Sequence, residues 1–165
     1  MFAYVILHYR TLQLTIECVS SLMRLFPNSR IVVVDNGSQD GSGQALKQEY
    51  QQRDMVDVIV SPQNLGFAKG NNLGYDFAVN NYAPDYVVVM NNDVIISQPD
   101  FEQEIISYMA KSGADVCGPD IITPSGGHQN PLMLKPFSSI RIAKQMAIDF
   151  FRLICLRLGV WESRI

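Results

Sequence analysis

At 165 residues and 47% hydrophobic content, the chain suits one domain with a packed core. Its formal charge of −3, with no dense Lys/Arg stripe in residues 1–137, argues against nucleic acid as the main partner. Cys18, Cys117 and Cys155 are widely spaced and never form a CxxC pair, so neither a disulfide framework nor a zinc site is indicated and buried free thiols are expected.

The first β-rich run covers residues 4–8. It lies in an N-terminus, MFAYVILHYRT, with no positive charge ahead of its apolar run and no small-residue cleavage site behind it. That is not a signal-peptide pattern, and a cytoplasmic location is expected. Thr11 can cap a following helix, on which Leu14, Cys18, Leu22 and Leu25 recur at helical spacing until Pro27 and Asn28 end it. The second strand, residues 31–34, terminates at Asp35. DNGSQDGSG, residues 35–43, is a loop by composition, and Asp40 or Ser42 can cap a helix through Ala45, Leu46, Glu49 and Tyr50.

A third strand is expected at residues 56–60. SPQNLG then leads into a helix carrying Phe67, Leu73 and Phe77 on one side and broken at Ala83 and Pro84. Strand four covers residues 86–90. Pro99 and Asp100 open another helix with Phe101, Ile105, Ile106 and Met109 inward, and residues 116–118 read as a short fifth strand. Pro119, Pro124, Pro131 and Pro136 punctuate an irregular linker over residues 119–137, and a helical pattern covers residues 138–158. Strands alternating with helices in this way predict an α/β fold with a mostly parallel sheet.

In such a sheet, ligands bind where loops leave the C-terminal ends of the strands. Three polar loops fall there: HYRT at 8–11, DNGSQDGS at 35–42 and NND at 91–93. A carboxylate at Asp35 can accept hydrogen bonds from a base or ribose, and Gly37 lets the backbone come close. The same letters also build an Asx turn ahead of a helix. Asp93 with the amide oxygens of Asn91 and Asn92 offers hard oxygen ligands suited to Mg²⁺ or Mn²⁺, although a capped turn accounts for them as well. In NLGFAKGNNLG, Gly66, Gly70 and Gly74 are four apart, which puts a bare face on a helix for close packing or for close approach of a ligand to Asn71 and Asn72. There is no GxGxxG fingerprint and no Walker Lys-Ser/Thr pair.

Taken in order, IVVVDNGSQDGS, NLGFAKGNNLG and VVVMNNDV resemble the nucleotide-sugar half of a family 2 glycosyltransferase of the GT-A type, particularly its rhamnosyltransferase-like members. The resemblance covers residues 1 to about 118, and implies a Rossmann-like GT-A domain, a nucleoside diphosphate sugar as donor and transfer to an acceptor hydroxyl with inversion. It places His8, Tyr9 and Thr11 along the nucleotide pocket and Asp35 with Asn36 at the base. Gly66, Phe67, Lys69, Asn71 and Asn72 border the nucleotide and sugar. Asn91, Asn92 and Asp93 stand for the family's DxD motif, with Asp93 the principal metal ligand and Asn91 beside it on Mn²⁺ or Mg²⁺.

Two departures accompany that resemblance. The first acidic position of DxD is Asn91, which halves the charge offered to a metal. Family members also carry a catalytic carboxylate about a hundred residues past that motif, where it can deprotonate the acceptor, and 72 residues follow Asp93. The expectation is a truncated chain that binds donor and lacks the general base. Asp100, Glu102, Glu104 and Asp115 read as helix caps or surface charges, Asp120 as a turn residue and His128 as an exposed loop histidine; Asp120 can alternatively touch sugar or acceptor, and His128 phosphate or acceptor.

Residues 138–165 hold 5 Lys/Arg against 2 Asp/Glu, whereas residues 1–137 hold 8 against 14. This basic amphipathic segment is too interrupted to span a bilayer. It is expected either to lie on an anionic membrane, at its inner face, as would suit a lipid-linked acceptor, or to pack on a missing acceptor half or a second copy of the chain. The other function classes open at this point are a nucleotide-binding or assembly module without catalysis and a nucleotidyltransferase. Against the latter, no glycine precedes Gly37, so its N-terminal phosphate loop is absent.

Overall fold

A computed structural model describes residues 1–129 of the chain. The expected helix at residues 138–158, Cys155 and the end of the linker lie outside the described residues. Two compact units are distinguished, Met1–Gly113 and a second beginning at Ala114.

The first unit runs β1 (Phe2–His8), α1 (Leu12–Leu25), β2 (Arg30–Asp35), α2 (Ser42–Tyr50), β3 (Val56–Val60), α3 (Phe67–Tyr82), β4 (Tyr86–Asn91) and α4 (Phe101–Ser112). Its four strands form one parallel sheet in the order β3-β2-β1-β4. The near-continuous apolar runs of β1 and β2 suit this central position, since a parallel strand is covered on both faces. Tyr4, Ile6, Ile31 and Val33 face one core with Cys18, Val19 and Leu22 of α1, Leu46 of α2 and Phe101 of α4. Ala3, Val5, Val32 and Val34 face the other with Ala78 of α3. Burying each large apolar side chain contributes about 1.5–3 kcal/mol.

The face by which α3 meets the sheet is made of small residues. A Cβ at Gly70 would stand 2.6 Å from Leu7 Cδ1, and one at Gly74 would stand 2.8 Å from Val34 Cγ2 and overlap Val5 Cγ1. Helix and sheet are therefore closer than any side chain at those positions permits. Of the three residues expected on one side of α3, Leu73 and Phe77 pack partly buried against this core, while Phe67 is 65% exposed. On α1 the buried residues are Thr15, Cys18, Val19, Ser21 and Leu22, and Leu14 faces outward instead. On α4, Phe101 is buried but Ile106 is exposed.

Residues 116–118 are not a strand. Val116 is 87% exposed, and without a sheet neighbour to cover it a short apolar triplet has nothing to pair with. In the second unit, Ile122 and His128 form an isolated antiparallel bridge, and His128 Nδ1 lies 2.5 Å from Asp120 Oδ2, both side chains exposed.

Candidate functional site

Parallel pairing brings the polar loops to one end of the sheet. His8 of β1 pairs with Asp35 of β2, and Leu7 pairs with Asn91 of β4. Since β1 lies between β2 and β4, the loops carrying Tyr9 to Thr11, Asp35 to Ser42 and Asn91 to Asp93 leave side by side at the C-terminal rim.

Asp35 is buried at the end of β2, and its Oδ1 accepts from Ser38 N–H at 3.1 Å and Ser38 Oγ at 2.5 Å. Ser38 Oγ in turn accepts from the backbone N–H of Arg10 at 2.9 Å. Asn36 N–H donates to His8 O. The Asn36 side chain accepts from Leu65 N–H at 2.9 Å and donates to Gly66 O and Asn64 Oδ1. Asn36 thus fixes the approach to α3, while Asp35 fixes its own turn. Gly43 packs directly on the Asp35 carboxylate, where a Cβ would collide with it.

His8 is fully buried and does not itself form the rim surface. Its Nδ1 is 2.8 Å from Thr15 Oγ1 and its Nε2 is 2.8 Å from Ser42 Oγ. Thr15 donates its only hydroxyl proton to Thr11 O and accepts from Asn92 Nδ2 at 2.7 Å. Both ring nitrogens of His8 are thus hydrogen-bonded to buried hydroxyl oxygens, one from α1 and one from the first turn of α2. The Ser42 hydroxyl donates to Asp40 Oδ1 at 2.5 Å, and the same oxygen accepts from the Ser42 N–H at 3.0 Å. Asp40 thereby supports the start of α2, although the N-cap position expected for Asp40 or Ser42 is held by Gly41.

Burial lowers the His8 pKa from 6.5, against the opposing pull of Asp35 and Asp40. Between that lowered value and 6.5 the unfolded chain binds more protons than the folded one, so stability rises with pH across the window and is complete above it. Urea titrations of the wild type are expected to show stability falling as pH drops below about 6.5. In His8→Gln this portion of the slope should vanish.

Asn92 Nδ2 donates to Thr11 Oγ1 at 2.6 Å as well as to Thr15. Its amide ties the NND turn to the start of α1 and faces the protein. This explains why Thr11, although at the N-cap position, makes no capping bond. Asn91 and Asp93 are exposed at the rim. Cys18, buried beneath them, has its thiol pKa pushed up to about 12, first by burial and then by the charge of Asp93. Tyr9 is 40% exposed, and the Arg10 guanidinium lies 4.9 Å from its ring centroid.

At the start of α3, Gly66 adopts φ +79, and Phe67, Lys69 and Asn72 are exposed. Asn71 is buried: its Nδ2 donates to Phe67 O, while its Oδ1 has no partner. Among the described residues no group of three or more His, Cys, Asp or Glu side chains is placed to hold a metal. The donors present are the carboxylate of Asp93 and the amide oxygen of Asn91. They fit a Mg²⁺- or Mn²⁺-type ion that takes most of its shell from water and ligand phosphates. Arg10, which sequence reasoning passed over, is a rim residue with left-handed backbone, at φ 63, as is Gln39 at φ 52. Nothing in its residue type announced this.

The Glycosyl transferase family 2 model matches residues 4–156. Two Streptococcus pneumoniae proteins are similar: the glycosyltransferase GlyA is 31% identical over 98 residues, 57% of this chain and 13% of GlyA. The glycosyltransferase GlyG is 27% identical over 109 residues, 66% of this chain and 35% of GlyG. The chain thus spans about an eighth and about a third of these relatives.

Among solved structures, the mannosyltransferase PcManGT of Pyrobaculum calidifontis, in complex with GDP-Man and Mn²⁺, superposes with a TM-score of 0.58 at 17% identity, over 75% of this chain and 36% of that one. S. aureus TarS 1-349 gives 0.55 at 19% identity, over 74% and 38%. These likenesses bear on the fold, which is the GT-A arrangement expected from the sequence.

Proposed function

The chain belongs to glycosyl transferase family 2, and from that premise we propose that its rim binds a nucleoside diphosphate sugar for inverting transfer to an acceptor hydroxyl. The observation that carries this reading is the convergence of Asp35, Thr11 and Asn91 to Asp93 at the ends of three adjacent parallel strands. Tyr9 and the Asp35–Asn36 turn receive the nucleoside, and the first turn of α3 borders the sugar. Asp93 and Asn91 hold a divalent ion, which when bound supplies positive charge to the leaving diphosphate. PcManGT with GDP-Man and Mn²⁺ and TarS with UDP support this by analogy of fold.

The general base is proposed to lie outside the first compact unit. Glu102 Oε1 accepts from Tyr4 Oη at 2.9 Å and Ser29 Oγ at 2.6 Å, so it is committed near the start of β2, away from the rim. Asp100 stands at the start of α4. The acceptor is proposed to be a glycan or lipid-linked hydroxyl in envelope polysaccharide synthesis, with rhamnose as the sugar flavour of the motifs. The family match displaces the nucleotidyltransferase reading.

Calorimetric titration with UDP, dTDP and GDP, with and without Mn²⁺, tests the proposal. At least one diphosphate is expected to bind, more tightly with the ion. Absence of binding by all three would overturn it.

A further inference from the structure

Arg10 occupies a position that its side chain alone makes useful. Its backbone is left-handed, at φ 63, a conformation that costs a non-glycine residue energy and persists only when the surroundings enforce it. Those surroundings are visible: the Arg10 N–H donates to Ser38 Oγ, Ser38 is bonded to Asp35, and the next residue, Thr11, accepts from Asn92. Arg10 is therefore clamped between the loop that ends β2 and the loop that ends β4.

The charge distribution points the same way. Within Met1–Gly113, Arg24 lies in the last turn of α1, Arg30 opens β2 and Arg53 precedes β3, all at the other end of the sheet. The rim carries Asp35, Asp40 and Asp93, and its cations are Arg10 and Lys69. Asp93 has an amide, Asn91, where a second carboxylate would hold an ion more firmly. A diphosphate entering this acidic rim needs positive charge beyond what one carboxylate can recruit. The Arg10 guanidinium is exposed, rests against the Tyr9 ring at 4.9 Å and makes no ion pair among the described residues. Its planar fork suits phosphate oxygens, whereas Lys69 is a point charge on the first turn of a separate element.

We propose that Arg10 is a phosphate-binding residue of this rim, its guanidinium shared between the Tyr9 ring and the diphosphate of a nucleoside diphosphate ligand. This rests on the functional reading above.

The test is titration of UDP, dTDP and GDP with Mn²⁺, at low and high salt, into the wild type, Arg10→Gln, Arg10→Lys and Arg10→Gly. Arg10→Gln is expected to bind the preferred diphosphate about tenfold more weakly, with a shallower salt dependence, and Arg10→Lys to recover part of the loss. Arg10→Gly should bind as weakly as Arg10→Gln yet keep or raise Tm, because glycine relaxes the left-handed backbone. An Arg10→Gln affinity within about twofold of wild type overturns the assignment and leaves the functional reading standing. Loss of Tm in Arg10→Gly overturns it in favour of a structural role. Failure of the wild type to bind any diphosphate removes the functional reading, and this inference with it.

Discussion

Asp93→Ala is expected to abolish the affinity that Mn²⁺ adds to diphosphate binding, leaving the variant with the affinity of the metal-free wild type, about 10- to 100-fold weaker. The reason is donor arithmetic. The NND turn offers one carboxylate, and Asn92 has turned its amide inward to Thr11 and Thr15. The other oxygens the turn offers are amides, and neutral. Removing Asp93 removes the only formal negative charge in the turn, so no residual site of comparable strength remains. The fold should tolerate the change, because the Asp93 side chain is exposed. Calorimetry of wild type and variant, each with Mn²⁺ and with EDTA, checks this. An Asp93→Ala protein that still gains as much from Mn²⁺ as the wild type would show that the ion is held elsewhere.

Gly37→Ala is expected to cost about 3 kcal/mol of stability, and roughly 10 °C in Tm. Gly37 has φ +72, so an alanine is strained before any contact is considered. Its Cβ would then stand 2.5 Å from Asn64 N and 2.7 Å from Gln63 O, with the Gln63 carbonyl carbon closer still. These are backbone atoms of the stretch leading into α3, where Ser61 Oγ donates to Gln63 O and Leu65 N–H donates to Asn36. They cannot swing aside as a side-chain tip would. Thermal unfolding of the variant measures the loss, and a Tm within a degree or two of wild type would mean that the two loops part more easily than their hydrogen bonds imply.

The sequence made the sheet legible because its signals were local. Apolar runs ending in polar triplets marked β1, β2 and β4, and Pro27 and Pro84 marked the ends of two helices. The rim followed from order alone, since parallel strands alternating with helices must deliver their loops to one end. What sequence did not reveal depended on partners distant along the chain. Phe67 looked like a core residue by periodicity, yet Gly70 and Gly74 took the sheet contact and turned it outward. Residues 116–118 had the composition of a strand, but a strand needs a neighbour. His8 was expected to line the nucleotide pocket and is fully buried, bonded to Thr15 and Ser42, 7 and 34 residues away. Arg10 was passed over because left-handed backbone in an arginine is dictated by Ser38, not by arginine.

The closeness of α3 to β1 and β2 has a bearing on how this chain can diversify. Positions 70 and 74 present no side chain to any ligand, yet a single added methyl at either would lift the helix and carry the Phe67–Asn72 turn away from the Asp35–Asn36 turn. Substitution is therefore free to vary the exposed residues at the start of α3 while the seat of the helix on the sheet is held constant by two hydrogens where other helices keep a carbon.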